Sequence, residues 1–224
     1  MSDEAMNKPS AAEPFVPALG VDWATPLYDT VARLTGDRAI KRHLIEQAGI
    51  EPGHDVLDLG CGTGTLVLLV KEMRPRANVT GVDIDPKILE IARRKIAAAG
   101  VEIRLLQSSA TEPPLPAASF DRVLSTLVLH HLTTPQKREA FASVRRLLRP
   151  GGEFHIGDWG KPQNLLMQVA SMGFRLFDGG ESTAANLRGE LPGLLCEVGF
   201  VDVRETENWM TPFGTLTFVQ SRAA

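Results

Sequence analysis

The stretch Asp55–Leu66, "DVLDLGCGTGTL", constrains the fold more than any other part of the chain. It reads as a short apolar strand that enters a glycine-rich turn and leaves it as the helix "TGTLVLLVKEMR". A strand handed to a helix through so few residues opens a crossover unit, and the alternation then repeats. "NVTGVDI" is a second strand, followed by the helix "DPKILEIARRKIAAAG". Asp85 is placed to cap that helix, Pro86 suits its first position and Gly100 its end. "VEIRLLQ" is a third strand, "FDRVLSTLVL" a fourth and "EFHIGDW" a fifth, with the helix "TPQKREAFASVRRLLRPGG" between the last two. Lys161 to Val198 reads as mostly helical, broken at "FDGGES". The closing runs "GFVDVRETENW" and "GTLTFVQSRA" are close enough to pair antiparallel. The expected fold is α/β, a doubly wound, mostly parallel sheet whose ligands lie outside the carboxyl ends of its strands.

Ahead of the first strand, Trp23 to Gly49 is amphipathic and helical, with a break at Gly36-Asp37 and Asp37 as a possible N-cap. The first twenty residues have neither a basic start nor an apolar core and are expected to be a loose tail. Residues 21–224 suit a single domain, with leading lid helices over 21–50 and a helical insert over 160–198. The longest apolar run, "TLVLLV", is far short of the ~20 residues that span a bilayer, so no stable membrane insertion is expected. A net charge of −3 gives no reason to expect nucleic acid as a partner. Cys61 and Cys196 make no disulfide framework, which points to a reducing, cytoplasmic compartment.

The turn Gly60-Cys61-Gly62-Thr63-Gly64 narrows the ligand. A dinucleotide fingerprint would place its third glycine at position 65, where this chain has Thr65, and no Gly-Lys follows as a phosphate loop requires. A bare G-x-G-x-G also serves any tight strand-to-helix turn, so the flanking acids carry the argument. Asp58 ends the first strand, where a carboxylate would repel a pyrophosphate and attract an ammonium group. Asp83 ends the second, where a carboxylate can take both hydroxyls of a ribose. A ligand with a ribose, an amino group and no phosphates is S-adenosylmethionine.

The segments "VLDLGCGTGTL", "VTGVDIDPKILEIA", "PLPAASFDRVLSTLVLHHL" and "LLRPGGEF" resemble the successive signature motifs of class I S-adenosylmethionine-dependent methyltransferases, nearest to the type acting in ubiquinone and menaquinone biosynthesis. The resemblance spans Tyr28 to Phe154 and continues weakly to the end of the chain. It implies a Rossmann-like methyltransferase fold with a seven-stranded sheet, an antiparallel last strand and a small helical lid. It further implies that Gly60, Cys61, Gly62, Thr63 and Gly64 approach the methionine and ribose portions, with Asp58 against the amino group. Asp83 would hold the ribose and Ile84 pack on adenine. Ser125, Thr126 and Leu127 would line the methionine end, and Tyr28 would close over the cofactor. Where the family has Gly-Asp-Ala near adenine, this chain has Ser108, Ser109 and Ala110, so a hydroxyl replaces a charge.

Methyl transfer from a sulfonium needs alignment first, and a base only when the acceptor loses a proton. His130 and His131 in "LVLHHL", just past the fourth strand, are the candidate bases, against the alternative of helix-start residues bonded to backbone. Asp158 could orient an acceptor or cap the helix after Lys161, and His155 reads as structural. A lone carboxylate at the rim does not propose a metal. No Asn/Asp-Pro-Pro-aromatic motif and no Pro-Cys pair marks the chain as acting on nucleic acid. Trp23, Leu27 and Tyr28, with the insert residues Leu165, Leu166, Met167, Met172, Phe174, Leu176 and Phe177, offer an apolar cover. The expectation is therefore methyl transfer to a small or medium, partly hydrophobic acceptor, aromatic or quinol-like at carbon or oxygen, with S-adenosylhomocysteine as product. The alternatives are N-methylation of a small amine or lipid headgroup, and a non-catalytic cofactor-binding partner subunit. Oligomeric state is left open.

Overall fold

The computed structural model of the chain describes residues 36–178 and 180–224, and the side chains of 172–180 are not part of that description. Elements follow the order α1 (Asp37–Gln47), β1 (Asp55–Leu59), α2 (Thr65–Met73), β2 (Asn78–Asp83), α3 (Pro86–Ala99), β3 (Arg104–Gln107) and β4 (Phe120–Thr126). A 3-10 turn (Leu129–His131) leads to α4 (Thr134–Leu147), β5 (Leu148–Trp159), α5 (Leu165–Asp178), α6 (Gly180–Arg188), α7 (Leu191–Glu197), β6 (Phe200–Thr211) and β7 (Gly214–Ala223). The strands form one seven-stranded sheet in the order β3-β2-β1-β4-β5-β7-β6. β1 to β5 pair in parallel, while β7 runs antiparallel to both β5 and β6. The strand order reverses direction at β1 and β4, so their carboxyl ends open the crevice in which such sheets bind ligands.

Helices cover both faces, which is why β1 is buried along nearly its whole length rather than alternating. Leu57, Leu59, Val82, Val123, Phe141 and Phe154 meet on one face, while Val56, Leu124, Leu44, Ile45, Val70 and Phe218 meet on the other. Each such fully buried side chain contributes ~1.5–3 kcal/mol relative to exposure. Asp58 shares the Val56 face, under α1. Arg122 Nε donates to Ala48 O at 2.7 Å, fixing the end of α1 to the sheet.

Local signals explain most boundaries. Asp85 caps α3 by accepting from Lys87 N and Ile88 N, Pro86 follows it and Gly100 closes the helix. Four boundaries differ from the sequence expectation, the first being that α4 ends at Leu147 and β5 begins at Leu148, running through the Pro-Gly-Gly expected to stop the helix. Gly36, not Asp37, is the N-cap of α1, and Asp37 lies in the first turn, its carboxylate bound to Lys41. β4 stops at Thr126 because Leu127 adopts φ 54° and the chain turns into the 3-10 turn. β3 is confined to four residues, since as an edge strand it pairs only with Thr80–Asp83 of β2. Trp23, Leu27 and Tyr28 lie outside the described residues.

Candidate active site

The glycine turn is held from beneath. Gly60 N and Cys61 N both donate to Val82 O, at 2.8 and 2.9 Å, and Gly64 N donates to Cys61 O at 2.9 Å. Gly62 N donates to Asp83 Oδ2 at 2.8 Å. A phosphate loop offers its amide hydrogens to the ligand. Here those of Gly60, Cys61, Gly62 and Gly64 are engaged within the protein, so the turn favours a ligand that brings its own donors. Lys95 Nζ, reaching from α3, donates to Thr63 Oγ1 and Thr65 Oγ1 at 3.2 and 3.1 Å and ties the turn to the start of α2.

Gly60 shows why this turn needs glycine. Its φ is 78°, and a Cβ there would lie 2.3 Å from Val128 Cγ2, so the loops after β1 and β4 touch backbone to side chain. A Cβ on Gly62, at φ 52°, would meet no protein atom within 4 Å, which leaves the ligand side of the turn open. Gly60→Ala is expected to cost about 2–4 kcal/mol in denaturant unfolding, from left-handed strain plus overlap. Adding Val128→Ala should recover only the overlap part.

Asp58 is the least ordinary group in the molecule. It is 1% exposed. Neither carboxylate oxygen has a hydrogen-bond partner. Burial pushes its pKa up to about 7, with the positive charge of Lys41 opposing and Asp83 and Asp37 adding to the rise. A buried carboxylate without partners is costly unless a cation satisfies it, and an ammonium group is the fitting one. Asp83 stands across the turn, with Oδ2 on Gly62 N and Oδ1 accepting from Asp85 N at 3.0 Å. Each of its oxygens keeps further accepting capacity for ribose hydroxyls. Ile84 beside it is 46% exposed, an apolar surface for a flat ring.

The remaining predicted positions divide by what their polar atoms already do. Ser125 Oγ donates to Leu59 O at 3.0 Å and locks β4 to β1. Thr126 is buried and Leu127 half-buried at the strand end. Ser109 Oγ lies 2.8 Å from Thr111 Oγ1 and accepts from Thr111 N, so its hydroxyl shapes its own loop, while Ala110 packs against the core. Cys61 Sγ sits where a Cβ on Gly81 would come within 2.9 Å. Burial pushes its thiol far above the usual range, which leaves it a small packing residue.

At the carboxyl ends of β4 and β5, Asp158 and His130 form a buried dyad, Oδ1 to Nδ1 at 2.7 Å. Asp158 Oδ2 also accepts from Val128 N and Leu129 N at 3.1 and 2.7 Å, and Oδ1 from Trp159 N at 2.7 Å. Burial raises its pKa, but His130 and these backbone donors outweigh it and hold the carboxyl below its usual range. The sequence offered Asp158 as a cap for the helix after Lys161. Its oxygens instead cap the 3-10 turn, and Asn164 Oδ1 takes Met167 N at the start of α5. An ionised Asp158 only accepts, so His130 carries its proton on Nδ1 and Nε2 is its basic atom. His131 reaches solvent, its ring 4.0 Å from that of His130. Crowding of that ring by protein, then the neighbouring His130, push its pKa down. His155 is structural, between Gln47 and Glu153 at 3.1 Å each.

Lys137 escaped the sequence reading. It is fully buried, with Nζ bound to Leu132 O and, at 2.7 Å, to Ser182 O, so it ties the histidine turn to α6. Burial pushes its pKa down to about 8. The signal was a lysine on the stripe of α4 that also carries Phe141 and Val144. Nearby, Leu165, Leu166 and Val169 of α5 stay exposed while Met167 is buried, and Asn164 reaches Met210 at the end of β6. The side chains of Met172, Phe174, Leu176 and Phe177 lie outside the description. No group of three or more His, Cys, Asp or Glu side chains could hold a metal among the described residues.

Residues 56–152 match the family model described as "Methyltransferase domain". The chain is 35% identical over 140 residues to the demethylmenaquinone methyltransferase of Thermus thermophilus, covering 61% of this chain and 63%, less than two thirds, of that protein. It is 30% identical over 190 residues to the ubiquinone/menaquinone biosynthesis C-methyltransferase of Shewanella sediminis, covering 75% of each. Its fold superposes on Haemonchus contortus phosphoethanolamine N-methyltransferase 2, solved with S-adenosyl-L-methionine, at a TM-score of 0.77 and 16% identity, over 92% of this chain and 58% of that one.

Proposed function

Because the chain belongs to the class I S-adenosylmethionine-dependent methyltransferases of the ubiquinone/menaquinone type, we propose that it methylates a ring carbon of a quinol-like aromatic acceptor. When bound, S-adenosylmethionine would supply an electrophilic methyl group carried on a sulfonium, with a neutral thioether as its leaving group. Asp58 would hold the ammonium group, Asp83 the ribose hydroxyls, and Ile84 would cover the adenine, a reading supported by the partnerless Asp58 oxygens, the strand-end Asp83 and the exposed Ile84. His130 Nε2 would take the proton of a ring hydroxyl as the ring carbon gains the methyl; loss of that carbon's own hydrogen as a proton to water then restores the aromatic ring, and His130 returns its proton to the ring oxygen. Asp158 is a positioning residue: it fixes the tautomer and the direction of the imidazole and stabilises the imidazolium that forms.

The observation that carries this reading is the buried dyad at the carboxyl ends of β4 and β5, beside the glycine turn through the Gly60–Val128 contact. A phenolic ring carbon becomes a much stronger nucleophile once its hydroxyl proton is removed, and the dyad offers a base for that proton beside the glycine turn. The exposed apolar side chains of α5 and of the β6–β7 hairpin, Leu165, Leu166, Met210 and Phe213, support a partly hydrophobic acceptor. The N-methyltransferase likeness rests on fold alone, at 16% identity. The test is S-adenosylhomocysteine formation with a reduced, short-tailed demethylnaphthoquinol, with catechol and phosphoethanolamine as comparators. Turnover with the quinol well above both is expected; turnover only with phosphoethanolamine would overturn the acceptor class.

A further inference from the structure

We propose that Lys41 receives the α-carboxylate of the cofactor, with Asp37 holding its Nζ in place while Asp58 takes the ammonium group. The starting observation is an ion pair in an unusual place. Asp37 and Lys41 are one turn apart on α1, a spacing that normally forms a solvated surface pair. Here their side chains are only 9% and 12% exposed. A buried pair is a weak source of stability, because desolvation offsets the attraction. Its position calls for another use.

That position is the cofactor end of the sheet. α1 covers the face of β1 onto which Asp58 projects. Ile40, between the two charged residues, lies 3.8 Å from the point a Cβ on Gly157 would occupy, and Gly157 stands beside Thr126 at the carboxyl ends of β5 and β4. Lys41 is also the cation whose field acts most strongly on Asp58, yet Nζ bonds to Asp37 and both Asp58 oxygens remain without partners. The cluster thus offers an acceptor with nothing on it beside an ammonium with hydrogens beyond the one given to Asp37. An amino acid end, carrying a cation and an anion on one carbon, matches that pair of charges. With Asp37, Asp58 and Asp83 against Lys41, the excess negative charge further suits a ligand that also carries a sulfonium.

This inference rests on the ammonium reading of Asp58, and calorimetry with two ligands separates the two. The probes are S-adenosylhomocysteine and its decarboxylated analogue, which keeps the amine and lacks the carboxylate. Lys41→Met should weaken S-adenosylhomocysteine about ten- to a hundredfold more than it weakens the analogue, whose smaller loss follows the rise of the Asp58 pKa once the Lys41 charge is gone. Lys41→Arg should retain most of the affinity for S-adenosylhomocysteine. The analogue serves as the control for folding of the variant. Equal weakening of both ligands by Lys41→Met, or weakening of neither, would overturn the assignment. Asp58→Asn should weaken both ligands, and normal binding of the amine by that variant would overturn the ammonium reading by a separate signature.

Discussion

Asp58→Asn weakens cofactor binding about a hundredfold at pH 8 and, in the same protein, makes the ligand-free fold harder to unfold. The two effects have one cause. The Asp58 carboxyl is buried without hydrogen-bond partners, and its pKa in the fold is about 7 against 3.8 for the ordinary carboxyl. A difference of that size is about 4 kcal/mol of strain on the ionised form, part of which the neutral amide removes. The sign with pH follows. Between pH 4 and 7 the folded protein keeps a proton that the unfolded chain has lost, so the ligand-free fold loses stability as pH rises through this window and gains none back above it. Denaturant unfolding at pH 5 and pH 8 should show the advantage of Asp58→Asn growing with pH. Binding runs the other way, since the ammonium needs the ionised acid. Affinity for S-adenosylhomocysteine should fall about tenfold from pH 8 to pH 6, with close to one proton released per ligand at the lower pH. Asp58→Asn should abolish that slope. Equal affinity at both pH values in the wild type would contradict the role given to Asp58.

His130→Ala lowers kcat by two to four orders of magnitude while leaving S-adenosylhomocysteine affinity within about threefold. The separation is expected because the dyad stands at the acceptor side, and the cofactor's own contacts come from the turn and the two strand-end acids. Asp158→Asn should also depress kcat strongly. An amide in place of the carboxylate can donate as well as accept, so it no longer fixes the proton on Nδ1 of His130, and Val128 N and Leu129 N lose a charged acceptor. Its diagnostic is a fall in kcat with S-adenosylhomocysteine affinity and the unfolding midpoint retained, whereas a loss of packing would lower the midpoint as well. His131→Ala should be the mildest of the three, since that ring reaches solvent and resists protonation. Full turnover by His130→Ala would remove the base from the mechanism.

The doubly wound sheet was readable because its signals are local: apolar runs, the Asp85-Pro86 cap, and glycines at turns that need them. The cofactor was readable because Asp58 and Asp83 end adjacent strands, so their chain positions already convey their place in space. Groups whose meaning depends on a distant partner were harder to read. Asp158 looked like a cap for the helix that follows it, yet its carboxylate accepts from the backbone N–H groups of Val128 and Leu129, about thirty positions earlier in the chain. The apolar run "LVL" looked like more of β4, but Leu127 takes a left-handed φ and the Asp158 carboxylate accepts from Val128 N and Leu129 N, which holds the segment in a turn. Asp37 looked like an N-cap and Lys41 went unread, because helical spacing does not say which face of α1 meets the sheet. Acceptor choice is less legible still, since it depends on apolar side chains at helical spacing that equally suit a core.

The most direct test of the whole account is one reaction: methyl-13C-labelled S-adenosylmethionine with the reduced demethylnaphthoquinol, and a carbon NMR spectrum of the product. The account predicts a single labelled methyl bonded to a ring carbon, formed in equal amount with S-adenosylhomocysteine and at least about a hundredfold more slowly with His130→Ala. Label on oxygen or nitrogen, or no transfer from a protein that binds the cofactor, would contradict it.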